Sequence, residues 1–271
     1  MKTLVAELEL IACDAGRLIA EIRTKGIEVM AKGDGSPMTE ADTRAEALII
    51  ERLAQAWPDI PIVAEELASS EGSPEGVGGR FFLVDPLDGT KEFIKGTPDY
   101  TVNIALVDGG RPVAGVVMAP GRNEIYSGCD GHAQMAKVAG SGPPGERRDI
   151  RVRTPGATWT AVVSVSHMTE ATRQFLEPLP IGERVSVGSS LKFCLLASGE
   201  ADIYPRLGRT MQWDTAAGDA VLRAAGGATV TRSGEELHYG PRVGLPQNRF
   251  ENPEFIAFAG SLDQLQSLVA A

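Results

Sequence analysis

FFLVDPLDGT, residues 81–90, is the stretch on which the reading of this chain turns. Four apolar residues, Phe81 to Val84, run directly into Asp85-Pro86-Leu87-Asp88-Gly89-Thr90. A short apolar run of this kind reads as a buried strand. A strand that ends in carboxylates puts charge at a partly desolvated edge, which is unfavourable unless something compensates it. The pattern recurs. Ile62-Val63-Ala64 leads into Glu65-Glu66, and Asp214 opens a helical segment in Trp213-Asp214-Thr215-Ala216-Ala217-Gly218. No neighbouring run of Lys or Arg balances these acids. A hard divalent cation would, because Mg²⁺ takes oxygen ligands and commonly shares one or two carboxylates with a substrate phosphate.

Each piece has a plainer explanation when taken singly. An Asp-Pro-x-Asp-Gly run is an ordinary turn, an Asp before a helix is an ordinary N-cap, and Glu65-Glu66 is an ordinary solvated pair. Their joint occurrence carries the metal reading. Pro86 fixes the turn, Gly89 lets backbone approach a ligand, and the amides after Gly89 open a helix, a setting that favours anions. The acidic spacing of an EF-hand is absent.

Outward from this stretch, the N-terminal segment places Leu4, Leu8, Ile11, Ala15, Leu18 and Ile22 at helical spacing. A glycine-bearing loop, KGDGSP (32–37), precedes Thr39-Glu40-Ala41-Asp42, which matches a capping box. The helix it starts turns Leu48, Ile49, Leu53 and Trp57 inward and stops at Pro58. Residues 67–79 read as a mobile polar loop, and 101–128 as a β-meander over Thr101–Val107, Arg111–Met118 and Glu124–Ser127. GSGPPGERRD (140–149) reads as a linker. Beyond it, strands at Ala161–Val165, Ala201–Tyr204 and Phe255–Ala259 alternate with helices at Thr169–Leu176, Ser189–Ala197, Asp214–Ala225 and Ser261–Val269. The first half is therefore expected to be α+β and the second α/β.

The 271 residues carry 26 Lys+Arg against 36 Asp+Glu, a net charge of −10 that argues against nucleic-acid polymers and anionic membranes as partners. Hydrophobic residues make up 43%, enough for a sizeable core. Cys13, Cys129 and Cys194 are too widely spaced for a zinc knuckle or a disulfide framework and read as buried thiols. No signal peptide or apolar run of membrane-spanning length is expected.

VAEE (63–66), DPLDGTKEF (85–93) and WDTAAGDAVLRAAGG (213–227) resemble the signature segments of the inositol monophosphatase superfamily. The match runs from SPMTEAD (36–42) to the last helix. DPLDGTKEFIKG (85–96), DYTVNIAL (99–106), VGSSLKFCLLASGEADIYPR (187–206) and TMQWDTAAG (210–218) are similar, more narrowly, to the bacterial 3′(2′),5′-bisphosphate nucleotidases. The resemblance implies a layered αβαβα sandwich. It divides into a metal-binding α+β domain (1–150) and an α/β substrate-specificity domain (151–271) that contributes Asp214. It also implies an Mg²⁺-dependent, lithium-sensitive phosphatase that converts adenosine 3′,5′-bisphosphate, a by-product of sulfate assimilation, to AMP and phosphate. The alternatives are activity on inositol monophosphate or fructose 1,6-bisphosphate and, more remotely, an inactive phosphometabolite sensor.

By the same resemblance, Glu65, Asp85 and the Leu87 carbonyl would hold one Mg²⁺, and Asp85, Asp88 and Asp214 a second. Glu65 would border a third, with Glu66 behind it. Thr90 and Asp42, with Glu65, would form the catalytic set that activates the attacking water. Gly89 and Thr90 would contact phosphate through their amides, and Lys32 lies in a loop closing over the metals. Substrate would also meet Glu65, Leu87, Asp88 and Asp214, with Ser190, Lys192 and His167 on the nucleotide side and Ser164 nearby. Arg209 stands where a proline is common. About three Mg²⁺ would bring the charge from −10 to about −4. A cytoplasmic location is implied, with an oligomer and peripheral contact at the inner membrane face left open.

Overall fold

A computed structural model describes residues 2–270 except 34, 73, 75, 140–141, 165–167 and 243–248, and the side chains of 2 and 267–270 are likewise left out. His167 therefore lies outside the described residues. Two sheets carry the architecture. The first has seven strands in sequence order: β3 (Ile62–Ala64), β4 (Arg80–Asp88), β5 (Thr101–Asp108), β6 (Arg111–Ala119), β7 (Glu124–Cys129), β8 (His132–Val138) and β9 (Pro144–Ile150). Only the β3–β4 pair is parallel; the rest form an antiparallel meander. The second has five strands in the order β11 (Ile181–Val187), β10 (Trp159–Ser164), β12 (Ile203–Arg206), β14 (Phe255–Phe258) and β13 (Ala228–Thr231).

Helices fill the three layers around these sheets. α1 (Lys2–Lys25) and α2 (Glu40–Ala56) bury Leu8, Ile11, Ile49 and Leu53 against one face of the first sheet, where Phe82 and Val84 of β4 point. Phe81 and Leu83 point the other way, as strand alternation requires. They meet α6 (Leu191–Ala197) and α7 (Ala216–Ala224), which also pack on Tyr204 and Phe255 of the second sheet. The outer face of that sheet is covered by α5 (Glu170–Leu176) and α8 (Leu262–Ala270) through Leu176 and Leu265. The result is the αβαβα sandwich. β4 is buried on both faces, which is why its sequence is a continuous apolar run rather than an alternating one.

Several expectations change. The expected linker at 140–149 is in its described part largely a strand: Pro144–Ile150 form the edge strand β9, whose outward-facing charges suit an edge, while 140–141 lie outside the described residues. The 67–79 stretch begins as helix, because α3 runs Glu65–Glu71. The expected 32–37 loop falls, in its described residues, at the turn of a hairpin between β1 (Val29–Ala31) and β2 (Pro37–Thr39), with Pro37 already the first residue of β2. Among the described residues six strands, β1, β2, β8, β9, β11 and β13, escaped the sequence reading because each is polar, short or held mainly by neighbours. A six-residue helix, α4 (Thr90–Lys95), follows Gly89. The three cysteines are buried thiols, as expected. No helix among the described residues is long and apolar enough to cross a membrane.

Candidate metal centre and phosphate cleft

Strand pairing explains the first contact in the site. Ala64 pairs in parallel with Val84, so the residues that follow, Glu65 beyond the end of β3 and Asp85 within β4, stand side by side. Between Asp85, opposite Asn103, and Asp88, opposite Thr101, β4 holds one residue more than β5. The bulge and the Asp85 Oδ1 bond from the Leu87 amide (3.0 Å) turn the chain so that Asp88 and Thr90 border the same cleft. Gly89 closes the turn at φ 90°, and a Cβ there would lie 2.9 Å from the Asp99 carbonyl.

Asp214 arrives from the other side of the sandwich. It is not the N-cap of α7, which starts at Ala216, but sits in the tight turn before it. The Met211 amide donates to Asp214 Oδ2 (2.9 Å), and the Asp214 amide returns a bond to the Met211 carbonyl. Glu65, Asp85 and Asp214 thereby bring one carboxylate oxygen each within 4.8 Å of one another. Asp88 stands beside this trio and acts on Asp85 and Asp214 through its charge.

The electrostatics of this cluster suit a divalent cation. Burial and the charges of Glu65, Asp88 and Asp214 push the Asp85 carboxyl far above the usual range, and Asp214 is raised by burial, Asp88 and Glu65. Asp88 is pushed up to about 6 by burial, against the pull of Lys192. Carboxylates this crowded are stable as anions only with a cation between them, and an all-oxygen donor set suits Mg²⁺. Lys32, from the β1–β2 hairpin, reaches both Glu65 and Glu66 at 2.7 Å. Burial would lower its ammonium, but the two glutamates more than reverse this. Glu66 itself is raised to about 7, by burial and then Glu65.

Thr39 caps α2 in the expected capping box: its amide and hydroxyl both donate to Asp42 Oδ2 at 2.7 Å. The other oxygen, Oδ1, accepts from the Thr90 hydroxyl at 3.1 Å. A capping carboxylate is thus also the acceptor for a hydroxyl on the cleft. Burial raises Asp42 despite these bonds.

The cleft has a volume of about 940 Å³ and continues to a basic far wall. Lys192 is buried, lies 5.5 Å over the Tyr204 ring and donates to the Ser189 carbonyl. Burial lowers it to about 8, with Asp88 opposing. Ser190 donates to the Asp214 carbonyl and so ties the two halves of the cleft together. The sequence reading missed Arg206. It ends β12, lines the cleft and donates to the Arg209 carbonyl (2.6 Å), while its buried Nε has no partner among the described residues. No local pattern marks it; its place across the cleft from the acids appears only in the fold. Arg209 also lines the cleft but is exposed and pairs with Glu251.

A family model described as the inositol monophosphatase family matches residues 2–263. The 3′(2′),5′-bisphosphate nucleotidase CysQ of Escherichia coli (strain K12) is 42% identical over 252 residues, covering 90% of this chain and 95% of that protein. Its namesake from Salmonella typhimurium is 41% identical over 247 residues, with the same coverage. Among solved structures, CysQ from Bacteroides thetaiotaomicron, described as a bacterial member of the family, has a TM-score of 0.76 at 33% identity. It covers 95% of this chain and 97% of its own.

Proposed function

Because the chain belongs to the inositol monophosphatase family, we infer that its cleft is the active site of a metal-dependent phosphatase with 3′(2′),5′-bisphosphate nucleotidase activity. Its substrate on this reading is adenosine 3′,5′-bisphosphate, released as AMP and phosphate. The observation that carries it is the convergence of Glu65, Asp85 and Asp214 within 4.8 Å beside a Thr90–Asp42 bond.

Glu65, Asp85, the Leu87 carbonyl, Asp88 and Asp214 would hold two Mg²⁺, with Glu65 bordering a third. When bound, the metal supplies positive charge to the phosphoryl oxygens and lowers the pKa of water. The chain's own residues do the rest. Thr90, whose hydroxyl lies 3.1 Å from Asp42 Oδ1 and 3.2 Å from the Leu87 carbonyl, would pass its proton to Asp42 as its oxygen accepts one from the attacking water. Asp42, raised by burial and fixed by Thr39, is a better base than an exposed aspartate. The Gly89 and Thr90 amides would hold the phosphate being transferred. Lys192 and Arg206, with Ser190, would take the second phosphate, whose charge the far wall complements. This divides the work between residues 1–150, which bear the metal ligands except Asp214, and residues 151–271, which select substrate. The same reading puts the protein in the cytoplasm, with its small phosphorylated substrate.

Phosphate release in the presence of Mg²⁺ tests this. Adenosine 3′,5′-bisphosphate should give the highest kcat/KM, ahead of inositol monophosphate and fructose 1,6-bisphosphate; a preference for either alternative would overturn the assignment. Lithium should inhibit by occupying a metal position, and activity indifferent to millimolar Li⁺ would contradict that.

A further inference from the structure

The turn that presents Asp214 is gripped by a residue with no place in the catalytic set. Residues 249–252 run alongside 210–212 as a short strap: Met211 and Glu251 form an antiparallel bridge, the Gln212 amide donates to the Phe250 carbonyl (2.7 Å), and the Asn252 amide donates to the Thr210 carbonyl (2.9 Å). That last peptide is held at both ends, since its own N–H, on Met211, is the one that donates to Asp214 Oδ2. The Asn252 side chain adds a second grip. Its Nδ2 lies 2.7 Å from the Met211 carbonyl, 2.9 Å from Thr210 Oγ1 and 3.0 Å from Thr215 Oγ1. The Met211 carbonyl can only accept, so the amide group must face it. Asn252 Oδ1 is buried with no partner among the described residues, so its bonding here is that of a donor.

The strap is anchored on its outer side. Phe250 is fully buried between Phe81, at 6.0 Å, and Trp213, at 6.5 Å. Gln212 exchanges two bonds with the backbone of Gly240. The four residues before Asp214, 210–213, are therefore held by backbone and side-chain groups distant in sequence.

We propose that Asn252 is a positioning residue for Asp214: by holding the Met211–Asp214 turn, it sets how tightly the carboxylate trio binds a divalent cation. Hydrogen-bond partners behind a ligating carboxylate orient it, and losing one commonly weakens metal binding about 10- to 100-fold. This rests on the reading of the trio as a metal site.

The test is calorimetric titration of Mg²⁺ into metal-stripped protein, comparing wild type with Asn252→Leu, which keeps the volume but removes the donors, and with Asn252→Ala. Both variants should bind Mg²⁺ about 10- to 100-fold more weakly, and kcat at saturating Mg²⁺ should stay within about a factor of two of wild type. Ser127→Ala is the structural control. Ser127 lies on β7, three strands from β4; the change removes its buried bond to Glu9 of α1 and should lower Tm without moving the Mg²⁺ constant. Should neither Asn252 variant fold, Thr210→Val removes one of the oxygens it grips and carries the same comparison. Wild-type Mg²⁺ affinity in these variants, or a loss confined to kcat at saturating metal, overturns the proposal. Absence of Mg²⁺ binding by the wild type overturns the metal reading itself, and the positioning role with it.

Discussion

Thr90 and Asp88 stand two residues apart and should fail in different ways. Thr90→Val keeps the shape but removes the hydroxyl that bonds Asp42, so turnover should fall by about 10²–10⁴. Mg²⁺ affinity should hardly change, because Thr90 contributes no carboxylate. Asp88→Asn removes a charge from the edge of the trio and should weaken Mg²⁺ binding as well as lower kcat by several orders of magnitude. Calorimetry and phosphate release on the same two preparations separate the outcomes; near-normal turnover in Asp88→Asn would refute its assignment. These acids were legible in the sequence because strands ending in carboxylates are unfavourable without a purpose. Arg206 was not, because a single basic residue after a strand has no local peculiarity. Only its opposition to the acids across the cleft marks it.

At the scale of elements, α7 matters most, since it follows Asp214 and lies across β5, β6 and β7. It can lie so close because Gly115 on β6 has no side chain. A Cβ there would fall 2.4 Å from the Ala217 carbonyl oxygen and 2.7 Å from the Ala220 Cβ. Gly115→Val should displace α7, with a stability loss of about 1–3 kcal/mol and weaker Mg²⁺ binding through Asp214. Thermal unfolding together with Mg²⁺ titration checks this; an unchanged Tm would show that the helix yields freely. The helices α1, α2 and α7 were visible from periodicity and capping signals. Strand β9 was not, because GSGPPGERRD has the composition of a linker and Pro144–Ile150 become a strand only by pairing with β8.

For the whole molecule, the acidic centre makes stability depend on pH and metal together. Asp42, Glu66, Asp85, Asp88 and Asp214 all have folded-state values raised above their ordinary ones, foremost by burial. Each binds its proton more tightly when folded. The associated stability is therefore fully present below about pH 4, where the unfolded groups are also protonated, and is lost as pH rises through the folded values. For Asp88 that is about 6 and for Glu66 about 7. Asp202 and Glu236, lowered by their arginines against burial, act oppositely, and their contribution is lost only at more acid pH. The metal-free protein should thus lose Tm between about pH 5 and pH 8, and Mg²⁺ should restore more of it at the upper end. An equal Mg²⁺ shift at both ends would place the metal away from these carboxylates.

The sequence by itself pointed to the class of chemistry, because buried strands that end in acids are unfavourable without a cation. Asp42 entered that setting only through the family resemblance and the folded contact with Thr90. The sequence also determined the α+β and α/β halves, because helical and strand periodicities are local properties. Tertiary structure alone decided how the pieces meet. Parallel pairing of β3 with β4 sets Glu65 beside Asp85, the bulge turns Asp88 and Thr90 into the cleft, and the strap through Asn252 holds Asp214 opposite them. Such contacts join residues well separated in sequence, 41 positions for Asn252 and Met211, and no local pattern records them, because register, crossing and close packing are properties of the folded chain rather than of any segment.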